Sequence, residues 1–586
     1  MCGILFLCQT ACSESEVDDN QREFESVFEN LKKLNVARGP DAHDTLKSTA
    51  NDLALTFFGS ELRLRGSHYI SQPHRDPEGN ILCWNGEIFG GIDVAENEND
   101  GANLFSLLQK STSSEDVRNI LGRIEGPYAI AFYHGSMRKL FFARDPLGRR
   151  SLLIHKPTQD NPRLLLTSVS AGVQNVYDLE ELSTEYIFSL DFAVMEHTNI
   201  VTDFSKFVTP IPRQAPDNSL PFAELAKVNR TLPPADSPLV QDLDHIPEHL
   251  VAAVGNFIEH LDKSVMLRVK NIPQEPSDKG KARVAVLFSG GIDSTMLAFL
   301  ASRHAEPGEP IDLLNVAFEN PRKILVQAEG NIGGLPKREK KQKLKDRVDY
   351  SSIDVSYHVP DRATGLQEVE ELRRLCPDRT WNFVEINVPY EESQGARQTV
   401  EALMWPGKTV MDLSLAIALY FAARGAGQIR SHPGADPHPY TTPARVLLNG
   451  LGSDELLGGY GRHRTAFKMG GWQAIIDELQ LELDRIPTRN LGRDDRMISS
   501  HGRETRHPFL SLSVVKFLAD LPVHLKLDPR LPPGLGEKML LRLAARKVGL
   551  VEASSRKKRA MQFGSHSARM GPGEGDRKGD LLLGEH

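Results

Sequence analysis

Cysteine is scarce in this 586-residue chain: there are five, at positions 2, 8, 12, 83 and 376. An odd number scattered so widely is no disulfide framework, which excludes a stapled secreted scaffold and makes a reduced, cytoplasmic setting the expectation. Long apolar runs are missing too. Nothing approaches the roughly 18 residues that a membrane span needs, so no membrane partner is expected. The opening residues Met1 to Cys8 are briefly apolar but lack a basic n-region and do not read as a signal peptide. There is no basic excess, because 70 Lys+Arg face 78 Asp+Glu for a net charge of −8. Nucleic acid is therefore not an expected partner. A Walker A loop is absent, and so are internal repeats.

What is present reads as two α/β units. Residues 1–206 are strand-rich. Tyr128 to Tyr133 and Lys139 to Ala143 flank His134-Gly135-Ser136-Met137-Arg138, which predicts a hairpin. Residues 207–248 hold eight prolines and read as a linker. Leu250, Val251, Val254, Phe257, Ile258, Leu261, Val265 and Met266 then fall on one helical face. Beyond them, Val284–Phe288, Leu313–Phe318 and Arg445–Leu448 read as strands, and Thr295–Ser302 and Leu413–Ala423 as helices. Residues 249–569 are thus expected to form a doubly wound α/β domain with a parallel sheet. The basic stretch 321–347 and the Pro/His-rich stretch His432 to Thr442 read as solvated insertion loops, and 570–586 as a disordered tail.

Cys2 becomes the first residue once an initiator Met is removed. An N-terminal nucleophile carries its own base, since a free α-amino group of pKa about 7.7–8.0 can take the thiol proton. Arg38-Gly39-Pro40-Asp41, Trp84-Asn85-Gly86-Glu87-Ile88-Phe89, Asp100 and Arg144-Asp145-Pro146-Leu147-Gly148-Arg149-Arg150 follow in order. With this set, the first 200 residues resemble the class II glutamine amidotransferase domain, an N-terminal-nucleophile (Ntn) hydrolase αββα sandwich. The resemblance implies that Cys2 attacks the glutamine amide and releases ammonia. It makes the Asn85 side chain and the Gly86 N–H the oxyanion hole. Glu87 and Asp100 would hold the α-amino group of glutamine, and either Arg63 or Arg65 would pair with its α-carboxylate. By its own residue types, Asn85-Gly86 also fits a tight turn.

Val284-Ala285-Val286-Leu287-Phe288 runs into Ser289-Gly290-Gly291-Ile292-Asp293-Ser294 ahead of a helix. Two glycines let the backbone wrap an anion, the helix start offers N–H groups, and the two serines add hydroxyl donors. Asp293 would repel phosphate, so its sensible role is to hold Mg²⁺. This segment resembles the PP-loop of the ATP pyrophosphatases. Leu448-Asn449-Gly450-Leu451-Gly452-Ser453-Asp454-Glu455-Leu456-Leu457-Gly458-Gly459-Tyr460 resembles an element of asparagine synthetase, and so does Arg503-Glu504-Thr505-Arg506-His507-Pro508-Phe509-Leu510. The resemblance implies a glutamine-hydrolysing ligase that uses glutamine, ATP and aspartate. It places ATP on Phe288, Ser289, Gly290, Gly291, Asp293, Ser294, Ala317, Asn449 and Gly450, and Mg²⁺ on Asp293 and Asp454.

Three positions depart from that family. Leu451 stands where asparagine synthetase has a Glu required for synthesis. Trp405-Pro406-Gly407-Lys408-Thr409-Val410-Met411-Asp412 replaces its Arg-Ala-Ser/Thr-Pro segment, leaving no Arg in register. Ala560 stands where a catalytic Lys belongs, with Lys558 and Arg559 just before it. The pattern is closest to the asparagine synthetase domain-containing proteins. The sequence is compatible with three activities: aspartate amidation, the same chemistry on another acceptor, and a pseudoenzyme that binds nucleotide or protein.

Overall fold

The computed structural model describes residues 2–10, 19–194, 204, 206–274, 278–319, 357–432, 434–568 and 582. The basic stretch 321–347, Cys12 and nearly all of the Gly-rich tail lie outside the described residues.

The first unit is built from β1 (Gly3–Thr10), β2 (Ala42–Ala50), β3 (Leu53–Glu61), β4 (His74–Arg75), β5 (Ile81–Gly86), β6 (Tyr128–His134), β7 (Lys139–Arg144), β8 (Leu153–His155), β9 (Arg163–Thr167), β10 (Glu180–Glu181), β11 (Tyr186–Asp191) and β12 (Val208–Pro212). These form two six-stranded sheets, β10-β8-β9-β1-β3-β2 and β12-β11-β7-β6-β5-β4. Side-chain alternation decides the layers. Ile4, Phe6 and Cys8 of β1 turn inward onto Cys83, Ala131, Leu140 and Phe142 of the other sheet. Leu5 and Leu7 turn outward onto Phe24, Phe28 and Leu31 of the helix Asp19–Arg38. On the opposite flank, Leu82, Ile130 and Phe132 meet Leu104, Leu108, Val117 and Leu121 of the helices Asp100–Leu108 and Ser114–Leu121. The outcome is a helix–sheet–sheet–helix sandwich. The expected hairpin is β6–β7, turned at Arg138 with a φ of +52°. Strand β12 carries the sandwich past the expected boundary at 206; as an edge strand it tolerates Pro210 and Pro212.

In the second unit the helix Glu248–Val269 buries Leu250, Val254, Phe257, Leu261 and Val265. A seven-stranded sheet follows, made of β13 (Val284–Leu287), β14 (Ile311–Phe318), β15 (Trp381–Val388), β16 (Ala426–Ile429), β17 (His438–Thr441), β18 (Val446–Leu448) and β19 (Glu504–Arg506). Its order is β17-β16-β15-β14-β13-β18-β19. The five strands from β15 across to β19 run parallel, whereas β16 and β17 form an antiparallel edge. Part of the stretch expected as a loop from His432 to Thr442 is therefore strand. Periodicity hides it, because an edge strand with solvated faces needs no apolar alternation. Val286, Leu313 and Phe383 meet Met296, Leu300 and Leu372 on one face. Leu314, Val316 and Ile386 meet Leu403, Leu413 and Ile417 on the other. The order reverses at β13, with β14 and β15 to one side and β18 and β19 to the other. Open α/β sheets bind ligands at the carboxyl ends of strands at such a point.

The units meet over the wholly buried helix Leu491–Ser499. Asp495 pairs with Arg38 at 2.7 Å and with Arg150 at 3.5 Å, and Arg150 also reaches Glu504 at 2.8 Å. Arg496 binds Glu181 at 2.6 Å and Ser151 at 2.7 Å. Buried pairs of this kind add little net stability, yet breaking one costs about 3–5 kcal/mol. Their effect is to fix how the two units sit against each other.

Candidate functional site

Two cavities carry the chemistry-bearing residues. The first, about 20 Å³, is lined by Cys2, Glu61, Arg65, Gln72, Gly86, Glu87 and Asp100, with Glu504 reaching in from the second unit. Cys2 sits at the head of β1. Its backbone N–H donates to Asn85 Oδ1 at 3.1 Å, and its carbonyl accepts from Arg38 Nε at 3.2 Å. The Asn85 oxygen is thereby used, while Asn85 Nδ2 is buried with no hydrogen-bond partner among the described residues. Asn85 and Gly86 do not form a turn: they end β5, paired with Ala129 and Tyr128. A Cβ on Gly86 would fall 2.4 Å from the Trp84 ring, which explains the glycine.

Burial pushes the Cys2 thiol up to about 12. It stays protonated and needs a base to become a nucleophile. Gln72 Nε2 donates to its sulfur at 3.4 Å. Arg65 Nε donates to Glu87 Oε2 at 2.9 Å, and Asp100 Oδ2 accepts from the Ile88 N–H at 2.9 Å. Of the two competing arginines, Arg65 lines the cavity. Arg63 turns away, donating to the Ser67 carbonyl and stacking on Tyr69. Burial, reinforced by the Glu87 charge, raises the Asp100 carboxyl to about 7; burial raises Glu61 to about 7 as well.

The second cavity, about 550 Å³, lies at the carboxyl ends of β13, β14 and β18. Phe288, Ser289, Asp293, Ser294, Asn449, Gly450 and Asp454 line it. Gly290 and Gly291 make the turn behind it. Gly290 has a φ of +73°, and a Cβ there would meet the Gly365 N–H nitrogen at 2.5 Å, so only glycine fits. Ala317 does not reach the cavity. It is buried in the ladder opposite Asn387, and its neighbours Leu314, Asn315 and Val316 form the wall instead.

Asp293 and Asp454 converge on a residue that sequence reasoning missed. Lys538 is buried, and its Nζ lies 2.7 Å from Asp293 Oδ2, 2.7 Å from Asp454 Oδ1 and 3.0 Å from Ser453 Oγ. Burial opposes its charge, but the two carboxylates outweigh that and hold the ammonium above its usual value. Asp454 also receives Lys558 Nζ at 2.5 Å. Although burial works against it, these two ammonium groups bring Asp454 down to about 2. No group of three His, Cys, Asp or Glu residues suited to a metal occurs among the described residues. Two convergent carboxylates fit a hard divalent cation whose other ligands are phosphate oxygens and water.

At the far end of this cavity lie Thr409, Met411, Asp412, Leu415, Arg489 and Arg493. Arg493 donates to Asp412 at 2.5 Å from the helix Leu491–Ser499, so a guanidinium reaches the segment that lacks one in register. Leu451, Lys558, Arg559 and Ala560 line the cavity as well.

Asparagine synthetase domain-containing protein 1 of Bos taurus is 38% identical over 97% of this chain and 96% of its own length. Its Homo sapiens counterpart is 35% identical over 97% and 95%. The chain belongs to the asparagine synthetase domain-containing protein 1 family. The asparagine synthase family model matches residues 279–330 and 468–576, which include the Ser289–Ser294 loop, Lys538 and Lys558. A solved glutamine phosphoribosylpyrophosphate amidotransferase from B. subtilis, complexed with ADP and GMP, covers 59% of this family member and 71% of its own chain. At 12% identity and a TM-score of 0.27, that likeness is too slight to bear on function. No helix among the described residues of this family member is long and apolar enough to cross a membrane.

Two consequences of the small cavity can be measured. If the Cys2 cavity hydrolyses glutamine, as the class II resemblance implies, Asn85→Ala lowers that hydrolysis by about 10²–10³, the usual effect of losing one oxyanion donor; steady-state glutamate release checks it. The second concerns pH. A bound ammonium favours ionised Asp100, a carboxyl that burial and the Glu87 charge raise to about 7. Glutamine KM should therefore rise as pH falls below about 7, by up to about ten-fold per unit. A KM profile from pH 8 to 5.5 that stays flat would contradict this role.

Proposed function

We propose that this chain is a glutamine-hydrolysing, ATP-dependent amidotransferase. Ammonia made at Cys2 would aminate a carboxylate, with aspartate the leading acceptor, as it is adenylated in the large cavity. The observation that carries this reading is that β19 serves both cavities. Glu504 at its start lines the Cys2 cavity, and the Arg506 carbonyl at its end accepts from the Asn449 N–H at 2.9 Å beside the large one.

Removal of Met1 would free the α-amino group of Cys2 as the base that its raised thiol pKa calls for. The thiolate attacks the glutamine amide carbon, and the orphaned Asn85 N–H and the Gly86 backbone N–H receive the developing oxyanion. Arg65, Glu87 and Asp100 hold the two ends of the amino acid. In the large cavity the Ser289–Ser294 turn cradles the phosphates, and Asn449 and Gly450 contact the nucleotide. Asp293 and Asp454 would hold Mg²⁺, which supplies charge neutralisation at the pyrophosphate leaving group. Lys538 and Lys558 bring two further positive charges to the same end. Adenylation makes AMP the group that ammonia displaces, and ammonia must travel out of water to stay unprotonated.

A second acceptor is favoured by one observation. Leu451, which can neither move a proton nor pair with a cation, lies on the cavity wall with Arg489. The test is AMP and pyrophosphate release from Mg·ATP with ammonia as nitrogen donor, run with aspartate and with a panel of other carboxylates. Aspartate-dependent AMP with asparagine formed supports the leading reading, and AMP with another acid alone supports the second. Silence with every acceptor contradicts both.

A further inference from the structure

One carboxylate on the wall of the large cavity has no role in glutamine hydrolysis, phosphate binding or Mg²⁺ binding. Asp361, the second residue of the helix Pro360–Leu375, is only 7% exposed, and it lines the cavity. Its nearest charged neighbour is Arg559, with Nη1 4.0 Å from Oδ1, and no N–H or O–H among the described residues donates to its carboxylate. Gly564 packs against the carboxylate, where a Cβ would fall 1.9 Å from Oδ1. The glycine keeps room for the acid on the cavity wall.

Its place along the cavity is fixed by Asn315. That side chain donates from Nδ2 to the Phe288 carbonyl at 2.8 Å and to the Asp361 carbonyl at 3.0 Å. Asp361 therefore stands beside Phe288, on the side of the cavity that Leu314 and Val316 also line and that suits a nucleoside. A carboxylate on the cavity wall with no donor among the described residues can accept hydrogen bonds from a ligand seated there. The absence of a donor is also consistent with burial raising this carboxyl to about 7.

We propose that Asp361 recognises the nucleoside of ATP, accepting hydrogen bonds from its ribose hydroxyls or its 6-amino group. This rests on the large cavity being the ATP site. It adds a specificity-determining residue to the Ser289–Ser294 turn, which by its position meets only phosphates.

The test is calorimetric binding of Mg·ATP, Mg·2′-deoxy-ATP, Mg·3′-deoxy-ATP and Mg·inosine triphosphate to the full chain, as wild type, Asp361→Ala and Asp361→Asn. Losing a hydrogen bond to a charged group should weaken Mg·ATP about 10- to 100-fold in Asp361→Ala. If the ribose is the donor, wild type discriminates against the deoxy nucleotides; if the base is, it discriminates against inosine triphosphate. In either case the discrimination disappears in Asp361→Ala and shrinks in Asp361→Asn, whose neutral amide oxygen is a weaker acceptor. Asp361→Asn keeps the shape should the alanine fail to fold. Variants that bind Mg·ATP as tightly as wild type, or an alanine variant that keeps the full discrimination, overturn the assignment. A wild-type chain that binds no Mg·ATP overturns the nucleotide reading of the cavity itself, an outcome visible before any variant is compared.

Discussion

Cys2→Ala should abolish glutamine hydrolysis, lowering it by at least about 10⁴-fold, and should leave ammonia-dependent AMP formation intact. The size follows from the buried thiol. Among the described residues, its polar contacts include the Gln72 amide, the Leu62 backbone N–H, and Asn85 and Arg38 on its backbone. None of these can act as a nucleophile in its stead. The selectivity follows from the separation of the cavities. Asp293, Asp454 and Lys538 do not line the Cys2 cavity, so truncating a small side chain there leaves the second centre untouched. Parallel assays of glutamate release and of AMP release with ammonium check both halves. Loss of both activities in a folded variant would contradict a two-centre scheme.

Asp293→Asn should stop pyrophosphate release while sparing glutamine hydrolysis. The carboxylate is one of two that converge on Lys538 among the described residues, and Lys538 lies within 2.8 Å of both its oxygens. Neutralising it removes a cation ligand and leaves a buried ammonium with a single carboxylate. The loss of several kcal/mol of charge stabilisation corresponds to a rate on the order of 10³-fold lower. The buried pair also makes Asp293→Ala a folding risk of about 3–5 kcal/mol, so the asparagine variant is the sound choice. Unchanged pyrophosphate release would show that the Ser289–Ser294 turn does not bind the nucleotide phosphates.

How much of the fold and site could be seen in the sequence depends on how local each signal is. Ser289–Ser294 is legible because strand, turn and helix start are contiguous, and a glycine at φ +73° leaves a fixed trace. The helix 248–269 is legible because its buried residues recur at helical spacing. Lys538 is not, since it meets Asp293 across 245 positions and nothing around it forms a periodic pattern. Gln72 is hidden because it meets Cys2 across 70 positions, and Glu504 because only the packing of two units brings it to that cavity. Ala317 and Val316 differ by one residue, and register alone decides which reaches the cavity. The pair Arg63 and Arg65 posed the same problem two residues apart. Strand β17 escaped because polar edge strands carry no apolar alternation.

On the proposed function, nitrogen freed at Cys2 is used in the cavity of Asp293 and Asp454. The most direct test supplies purified protein lacking Met1 with Mg·ATP, amide-¹⁵N glutamine, aspartate and unlabelled ammonium, and follows glutamate, AMP and the label together. The account predicts glutamate and AMP in equal amounts, with ¹⁵N in the product amide undiluted by the ammonium in solution. Glutamate without AMP, or a label diluted to the level of the bulk, would contradict it.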